Sequence, residues 1–110
     1  MKLAQVCQHA MSLPEVIEAP HFNYTSFRVS GKIFVTVPPE GTHVHIFVNE
    51  AQRELALAMD SEFIEPLSWG AKVVGLRVAL ANAKPAVVKQ LIAQAWAAKA
   101  AQALREATND

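Results

Sequence analysis

The sequence predicts an α+β domain, in which an antiparallel sheet of about four to five strands carries N- and C-terminal helices packed on one face. Three observations support this fold class. Apolar residues recur at helical spacing at both ends of the chain, β-branched and aromatic runs fill its middle, and proline and glycine punctuate the runs. A length of 110 residues with 52% hydrophobic residues fits one folded domain, residues 1–110.

Two helices are predicted at the ends of the chain. Residues 2–12 place apolar side chains three and four positions apart, and Pro14 ends that helix because it forces the preceding residue out of the helical region. The last helix begins between Asn82 and Pro85, since a proline is tolerated in a first turn. Its alanine-rich tail, residues 97–107, has few large apolar groups, so we expect it to fray or to meet a partner.

The middle of the chain reads mainly as strands. Val16 and Ile17 suggest a short edge strand, and the later strands are predicted at residues 26–29, 32–37, 42–48 and 73–80. A helix over residues 50–59, capped by Asn49, has Leu55 and Met59 at a spacing that suits packing. Residues 66–72 are expected to form a loop around Trp69 and Gly70.

Ser30-Gly31 joins the two strands of the first hairpin, and the length of this turn decides which side chains share a face. A two-residue turn pairs Val29 with Lys32 and Phe27 with Phe34, and leaves both faces of the hairpin apolar. A three-residue loop moves Phe34 to the side of Arg28. We favour the two-residue turn, although the sequence leaves both registers open.

Charge and cysteine content restrict the classes of function. Ten basic and ten acidic residues give a net charge of zero, so no bulk field attracts nucleic acid or an anionic membrane. Cys7 is the single cysteine and suits a reducing compartment; we expect it to be a small buried apolar residue. Without a recognisable signal peptide or an apolar run of spanning length, a cytoplasmic protein that enters no membrane is expected.

Several short motifs in one order resemble the MmcQ/YjbR family of small bacterial proteins. They are residues 12–16 (SLPEV), 20–22 (PHF), 26–29 (SFRV), 31–34 (GKIF) and 69–70 (WG). The resemblance covers nearly the whole chain. It implies a frataxin-like α+β fold, described as a double-wing arrangement, and a DNA-binding role. The sequence departs from the family at Phe47, where members often carry a basic residue, and in lacking the Gly-Trp pair that members often carry shortly after Trp69-Gly70, where this chain reads Val73-Val-Gly-Leu76.

Four cations lie on or beside the predicted hairpins. Arg28 and Lys32 flank the first turn, and Lys72 and Arg77 flank or lie on the last strand. If they converge, they form a small cationic patch that contacts phosphates of double-stranded DNA, with low affinity and little sequence preference. Charges that protect sheet edges from pairing are the alternative interpretation. A protein- or small-ligand-binding module, self-associating as a homo-oligomer, is the alternative function.

No catalytic constellation or cofactor motif is recognisable, so we expect a protein that is not an enzyme and needs no cofactor. His43 and His45 lie two apart on a strand, but no third ligand at a recognisable spacing completes a metal site. His21 and Ser26 lack an orienting acid, so they are not read as base and nucleophile. Trp69 is read as a core or loop-anchoring residue.

Overall fold

The computed structural model describes residues 1–108, which form three α-helices and six strands. The helices are α1 (Leu3–Ser12), α2 (Glu50–Met59) and α3 (Pro85–Thr108). The strands are β1 (Val16–His21), β2 (Tyr24–Val29), β3 (Lys32–Val37), β4 (His43–Ile46), β5 (Ile64–Trp69) and β6 (Lys72–Ala79). A 3₁₀ turn, Leu80–Asn82, leads from β6 towards α3.

The strands form one antiparallel sheet in the order β1-β2-β3-β4-β6-β5. This confirms the α+β class with N- and C-terminal helices, but the described sheet has six strands rather than four to five. α3 packs on β2, β3 and β4, and α1 packs on both α3 and β1. The likeness to frataxin stays a prediction.

The additional strand length lies at the two edges of the sheet. β1 extends from Val16 to His21 and includes Pro20, and the predicted loop at residues 66–72 is wrong because residues 64–69 form β5 with Pro66 inside it. Proline lacks the N–H that a central strand must donate, but an edge strand can leave that side unpaired. From its sequence neighbours alone, each proline predicts the end of a strand, although in the structure each lies within an edge strand.

One hydrophobic core lies between the sheet and the helices. Val88, Leu91, Ile92 and Ala95 of α3 are all buried, as the helical spacing predicts. On α2 the prediction was wrong: Leu55 and Met59 are 61% and 72% exposed, and Ala56 is buried instead. Their spacing correctly places Leu55 and Met59 on one side of the helix, but the docking of α2 against β5 decides which side is covered.

The first hairpin combines the favoured turn with a β-bulge. Val29 pairs with Lys32 across a two-residue turn, and Ser30 and Gly31 have φ angles of 51° and 78°, as a type I′ turn requires. The register then shifts, so Phe27 pairs with Val35 and not with Phe34. Because the bulge adds one residue to β3, Phe34 and Val35 are both fully buried. The prediction that both hairpin faces are apolar is therefore wrong.

The face opposite the core carries a row of mostly polar residues across all six strands, which we call the open face. Pairing aligns one residue per strand, in the order Ala19, Ser26, Thr36, His45, Arg77 and Glu65. Directly paired residues point to the same side of a sheet, so these six side chains share one face. Ser26, Thr36 and His45 are nevertheless buried there.

The alanine-rich tail belongs to α3, which is helical through Thr108. Ala100 packs against the core, and the Lys32 ammonium lies 2.9 Å from a carboxylate oxygen of Glu106. The fraying expected for this tail is therefore not seen in the described residues. The tail runs past the turn of the first hairpin, which brings residues near the C-terminus beside the sheet.

Candidate functional site

The sheet opens where β4, its shortest strand, ends. β4 pairs with β6 only from Leu76 to Ala79, so in the described structure residues 72–75 of β6 are not paired with a β4 residue. Phe47, directly after β4, stays linked to β3, since its backbone N–H donates to the carbonyl oxygen of Phe34 at 3.1 Å. Two grooves lie at this opening, and both are lined by Phe47, Trp69 and Lys99.

The cationic groove lies between β6, α2 and the tail of α3 and has a volume of about 720 Å³. Its four charged lining residues are all basic: Arg53, Lys72, Lys99 and Arg105. No Asp or Glu is among the described residues that line it. Four cations in one groove of a protein with no net charge make a locally positive surface among the described residues.

The position of each cation follows from its element. Lys99, Gln102 and Arg105 follow one another at three-residue steps along α3, so neighbours in this series lie about 60° apart around the helix and all three line the groove. The guanidinium of Arg53 donates to the carbonyl oxygen of Val48 at 3.1 Å, which orients the side chain at the start of α2. Lys72 begins β6 immediately after the Gly70-Ala71 turn. The groove thus gathers charges from three separate parts of the chain.

The aromatic groove lies mainly on the open face and has a volume of about 710 Å³. Its lining combines four aromatic residues with two histidines, a single charged residue and several smaller side chains. The aromatic residues are Phe22, Tyr24, Phe47 and Trp69, the histidines are His21 and His45, and the charged residue is Lys99. A groove of this composition suits a planar ring that carries or adjoins a negative charge.

His45 contributes the one unpaired buried nitrogen among the lining residues of this groove. Its Nε2 atom is buried and has no hydrogen-bond partner among the described residues. Burial lowers the pKa of His45, and the positive charges of Arg77 and His43 lower it further. The imidazole is therefore neutral near pH 7, when Nε2 either donates or accepts one hydrogen bond according to its tautomer.

Phe22 and Trp69 expose aromatic surface at the groove. Phe22 is 92% exposed and adopts a φ of 58°, and its ring meets that of His21 edge to face at 4.9 Å between centroids. Trp69 is 72% exposed at the end of β5, so its interpretation as a core residue is wrong. Because neither ring is buried in the core, both are free to contact a ligand.

The structure does not bring the four predicted phosphate-binding cations together. Arg28 lies on the open face, where its guanidinium donates to Ser26 Oγ at 3.0 Å and to the carbonyl oxygen of Pro20 at 3.3 Å. Lys32 lies at the hairpin turn, paired with Glu106. Both side chains therefore already have partners within the protein.

Lys72 and Arg77 are also separated. Arg77 pairs with Glu65 of the neighbouring strand at 2.7 Å, and it lines a small depression beside His43. Lys72 lines the cationic groove. Of the four predicted residues, Lys72 is thus the one found in the groove where basic residues converge, and phosphate contacts by the other three stay a prediction.

The remaining sequence candidates have structural explanations. Ser26 is buried, and its Oγ donates to the carbonyl oxygen of Ala19 at 2.7 Å and accepts from Arg28, so its hydroxyl is engaged in the sheet. Cys7 is partly buried against the core, and this burial raises its pKa. Within residues 1–108, no group of three His, Cys, Asp or Glu side chains is placed to hold a metal ion.

Sequence reasoning missed most of the lining residues of the two grooves. Lys99, Gln102 and Arg105 recur at three-residue spacing in the alanine-rich tail, and this helical periodicity was the available signal for one polar side. Arg53 gave no such signal, because it lies in a helix of mixed charge. The sequence offers no local sign that the two helices approach the same end of β6.

A family model described as YjbR matches residues 11–98, which is most of the chain. The chain belongs to the YjbR family. This confirms the resemblance drawn from its motifs. The matched segment of the YjbR chain includes Arg53 and Lys72 of the cationic groove, but it ends one residue before Lys99.

Comparisons of this YjbR chain with curated proteins and with solved structures gave no significant match. Among the described residues, no helix combines the length and hydropathy needed to cross a membrane. The function is therefore inferred from the geometry of the two grooves.

Proposed function

We propose that this YjbR protein is a non-enzymatic nucleic-acid-binding protein that holds backbone phosphates in the cationic groove. The observation that carries this proposal is the convergence of Arg53, Lys72, Lys99 and Arg105 in a groove that no carboxylate of residues 1–108 lines. Lys and Arg at phosphates release condensed counterions, which supplies affinity that is independent of sequence. Phe47 and Trp69 in the same groove add aromatic surface next to the charges.

The number of cations sets the expected strength of binding. Four phosphate contacts on a duplex correspond to a slope of about −3.6 in log affinity against log salt. Affinity then falls by roughly a hundredfold between 50 and 200 mM salt. We therefore expect weak, phosphate-directed binding that is detected at low salt and is largely lost at moderate salt.

Charge reversal within one helix tests the proposal. We expect Lys99→Glu with Arg105→Glu to lower the affinity for a labelled duplex at least tenfold at low salt, and to reduce the salt slope by about two. The matched control is Lys84→Glu with Lys89→Glu, which makes the same charge change around the start of α3, where both side chains are exposed. Fluorescence anisotropy measures both, and circular dichroism confirms folding.

Two results would contradict the proposal. One is a wild-type protein that does not bind duplex or single-stranded DNA even at low salt. The other is a control variant that weakens binding as much as the groove variant, which would show that net charge alone is responsible. Single charge reversals at Lys32 and Arg77 extend the test to the phosphate contacts predicted from sequence. Lys72→Glu tests the residue that belongs both to those predicted contacts and to the cationic groove.

Self-association is a second candidate function, favoured by two exposed apolar side chains on α2. Leu55 and Met59 are one helical turn apart and are 61% and 72% exposed. A second copy of the chain would cover this apolar surface. Sedimentation velocity of wild type and of Leu55→Glu tests the idea: a concentration-dependent dimer that the variant abolishes supports it, and a wild type that stays monomeric at high concentration contradicts it.

A further inference from the structure

The two grooves form one continuous surface with different chemistry at each end. Phe47, Trp69 and Lys99 line both, so a molecule lying in the cationic groove meets the aromatic groove at these three residues. One end offers four cations, and the other offers aromatic rings and one unpaired nitrogen. A nucleotide has the matching two parts, because it joins a negatively charged phosphate to a planar heteroaromatic base.

His45 supplies the polar contact that a base edge requires. A buried polar atom without a hydrogen-bond partner destabilises the protein, so a ligand that pairs with Nε2 removes this penalty. Base edges carry both donors and acceptors, and a neutral imidazole matches either through its tautomers. Tyr24 lies beside His45, with 6.0 Å between ring centroids, and lines the same groove.

The backbone of Phe22 is strained where its ring lines the aromatic groove. A φ of 58° strains the backbone of a bulky residue, yet the side chain is 92% exposed and adds nothing to the core. Asparagine or glycine would occupy this turn at lower cost. Apart from its edge-to-face contact with His21, the ring of Phe22 has no packing role in the described fold, whereas stacking on a base gives it one.

We propose that the aromatic groove binds an unstacked nucleobase, with His45 Nε2 at the base edge, Phe22 and Trp69 against the base, and Lys99 at its phosphate. The proposal rests on the proposed function for the phosphate contacts and adds that the preferred ligand is unpaired. The same chemistry is present in a single strand and in a free nucleotide. A base stacked within a duplex cannot enter the groove without being unpaired.

The experiment compares three probes at low salt: a labelled single-stranded oligonucleotide, the matching duplex, and AMP. We expect the single strand to bind at least about tenfold more tightly than the duplex. Stacking of one base on an aromatic ring is worth about 1–3 kcal/mol, so Phe22→Ala should lower single-strand affinity about fivefold to a hundredfold and leave duplex affinity unchanged. Ile17→Ala, an exposed apolar control whose side chain lines neither groove, should change neither.

A second measurement uses the wild-type protein and needs no variant of the buried His45. We expect the ring NMR signals of His45 to shift on addition of the single strand, whereas the signals of His9 on α1 stay in place. If the duplex binds as tightly as the single strand and Phe22→Ala affects neither, the base site is overturned and the proposed function stands. If no nucleic acid binds but AMP shifts His45, the base site stands and the proposed function is overturned. If none of the three probes binds, both are overturned.

Discussion

The ring of Phe47 lies against the backbone of Gly75. A β-carbon placed on Gly75 would lie 3.1 Å from Cδ1 of Phe47 and 2.8 Å from the carbonyl oxygen of Ile46. A glycine is therefore required where the chain leaves β4 and passes close to β6. Because Phe47 lines both grooves, this close approach in the sheet also shapes the candidate site.

Gly75→Ala is expected to destabilise the fold and displace Phe47. The contact at 2.8 Å is with a backbone oxygen that cannot rotate away, so we expect a loss of roughly 1–3 kcal/mol in the free energy of unfolding. Urea denaturation measures this loss. Gly70→Ala is the control, since the same methyl group there meets nothing within 4 Å and only the φ of 59° adds a cost, of about 1 kcal/mol. A Gly75→Ala protein as stable as wild type would show that the close approach is unimportant.

Protonation of His45 is expected to lower stability in mildly acidic solution. Its pKa is lowered in the folded state, mainly by burial, so the unfolded chain binds the proton first as the pH falls below about 6.5. The free energy of unfolding should then fall by at most about 1.4 kcal/mol per pH unit, until the folded state is protonated as well. Denaturation of wild type and His45→Phe between pH 7.5 and 5 measures this pH slope. The difference between the two slopes should correspond to the uptake of about one proton on unfolding. An equal pH slope in the two proteins would contradict it.

Replacing Phe22 by asparagine is expected to raise stability while weakening binding. Asparagine accepts a positive φ more readily than phenylalanine, so relief of strain should add about 1 kcal/mol to the free energy of unfolding. The same change removes the exposed ring and should lower single-strand affinity as Phe22→Ala does. Thermal unfolding and anisotropy on the same samples measure both effects. Phe22→Ala, which loses the ring without gaining asparagine's tolerance of positive φ, is the matched control; a lower melting temperature for Phe22→Asn than for Phe22→Ala would contradict the strain argument.

The Lys32–Glu106 pair is expected to hold the tail of α3 locally without affecting global stability. Hydrogen bonding to Lys32 is the main cause that lowers the pKa of Glu106, so the pair is lost as the pH falls through that lowered pKa. Lys32→Ala should speed amide exchange in the last turns of α3 and leave the melting temperature unchanged, because exposed ion pairs contribute little. Lys84→Ala is the control at the other end of α3. Unchanged exchange in Lys32→Ala would show that the pair does not order the tail.

Local sequence patterns correctly predicted the elements that are specified by neighbouring residues. The two-residue Ser30-Gly31 turn was favoured from the residues of the turn itself, and the helices at both ends were predicted from the helical spacing of their apolar residues. The same kind of signal misled at β5. Pro66 and Gly70 read as loop residues, and only pairing with β6 makes an edge strand of that segment.

The sequence by itself determined the α+β class, the helices and the family and favoured the correct first turn, because periodicity, capping, turn chemistry and short motifs are properties of neighbouring residues. The tertiary structure alone decided the bulge at Phe34, the exposed side of α2 and the composition of the grooves. Arg53, Lys72, Lys99 and Arg105 lie far apart in the chain, and packing of α2 and α3 around the end of β6 brings them together. Such convergence depends on long-range contacts, which no local pattern records.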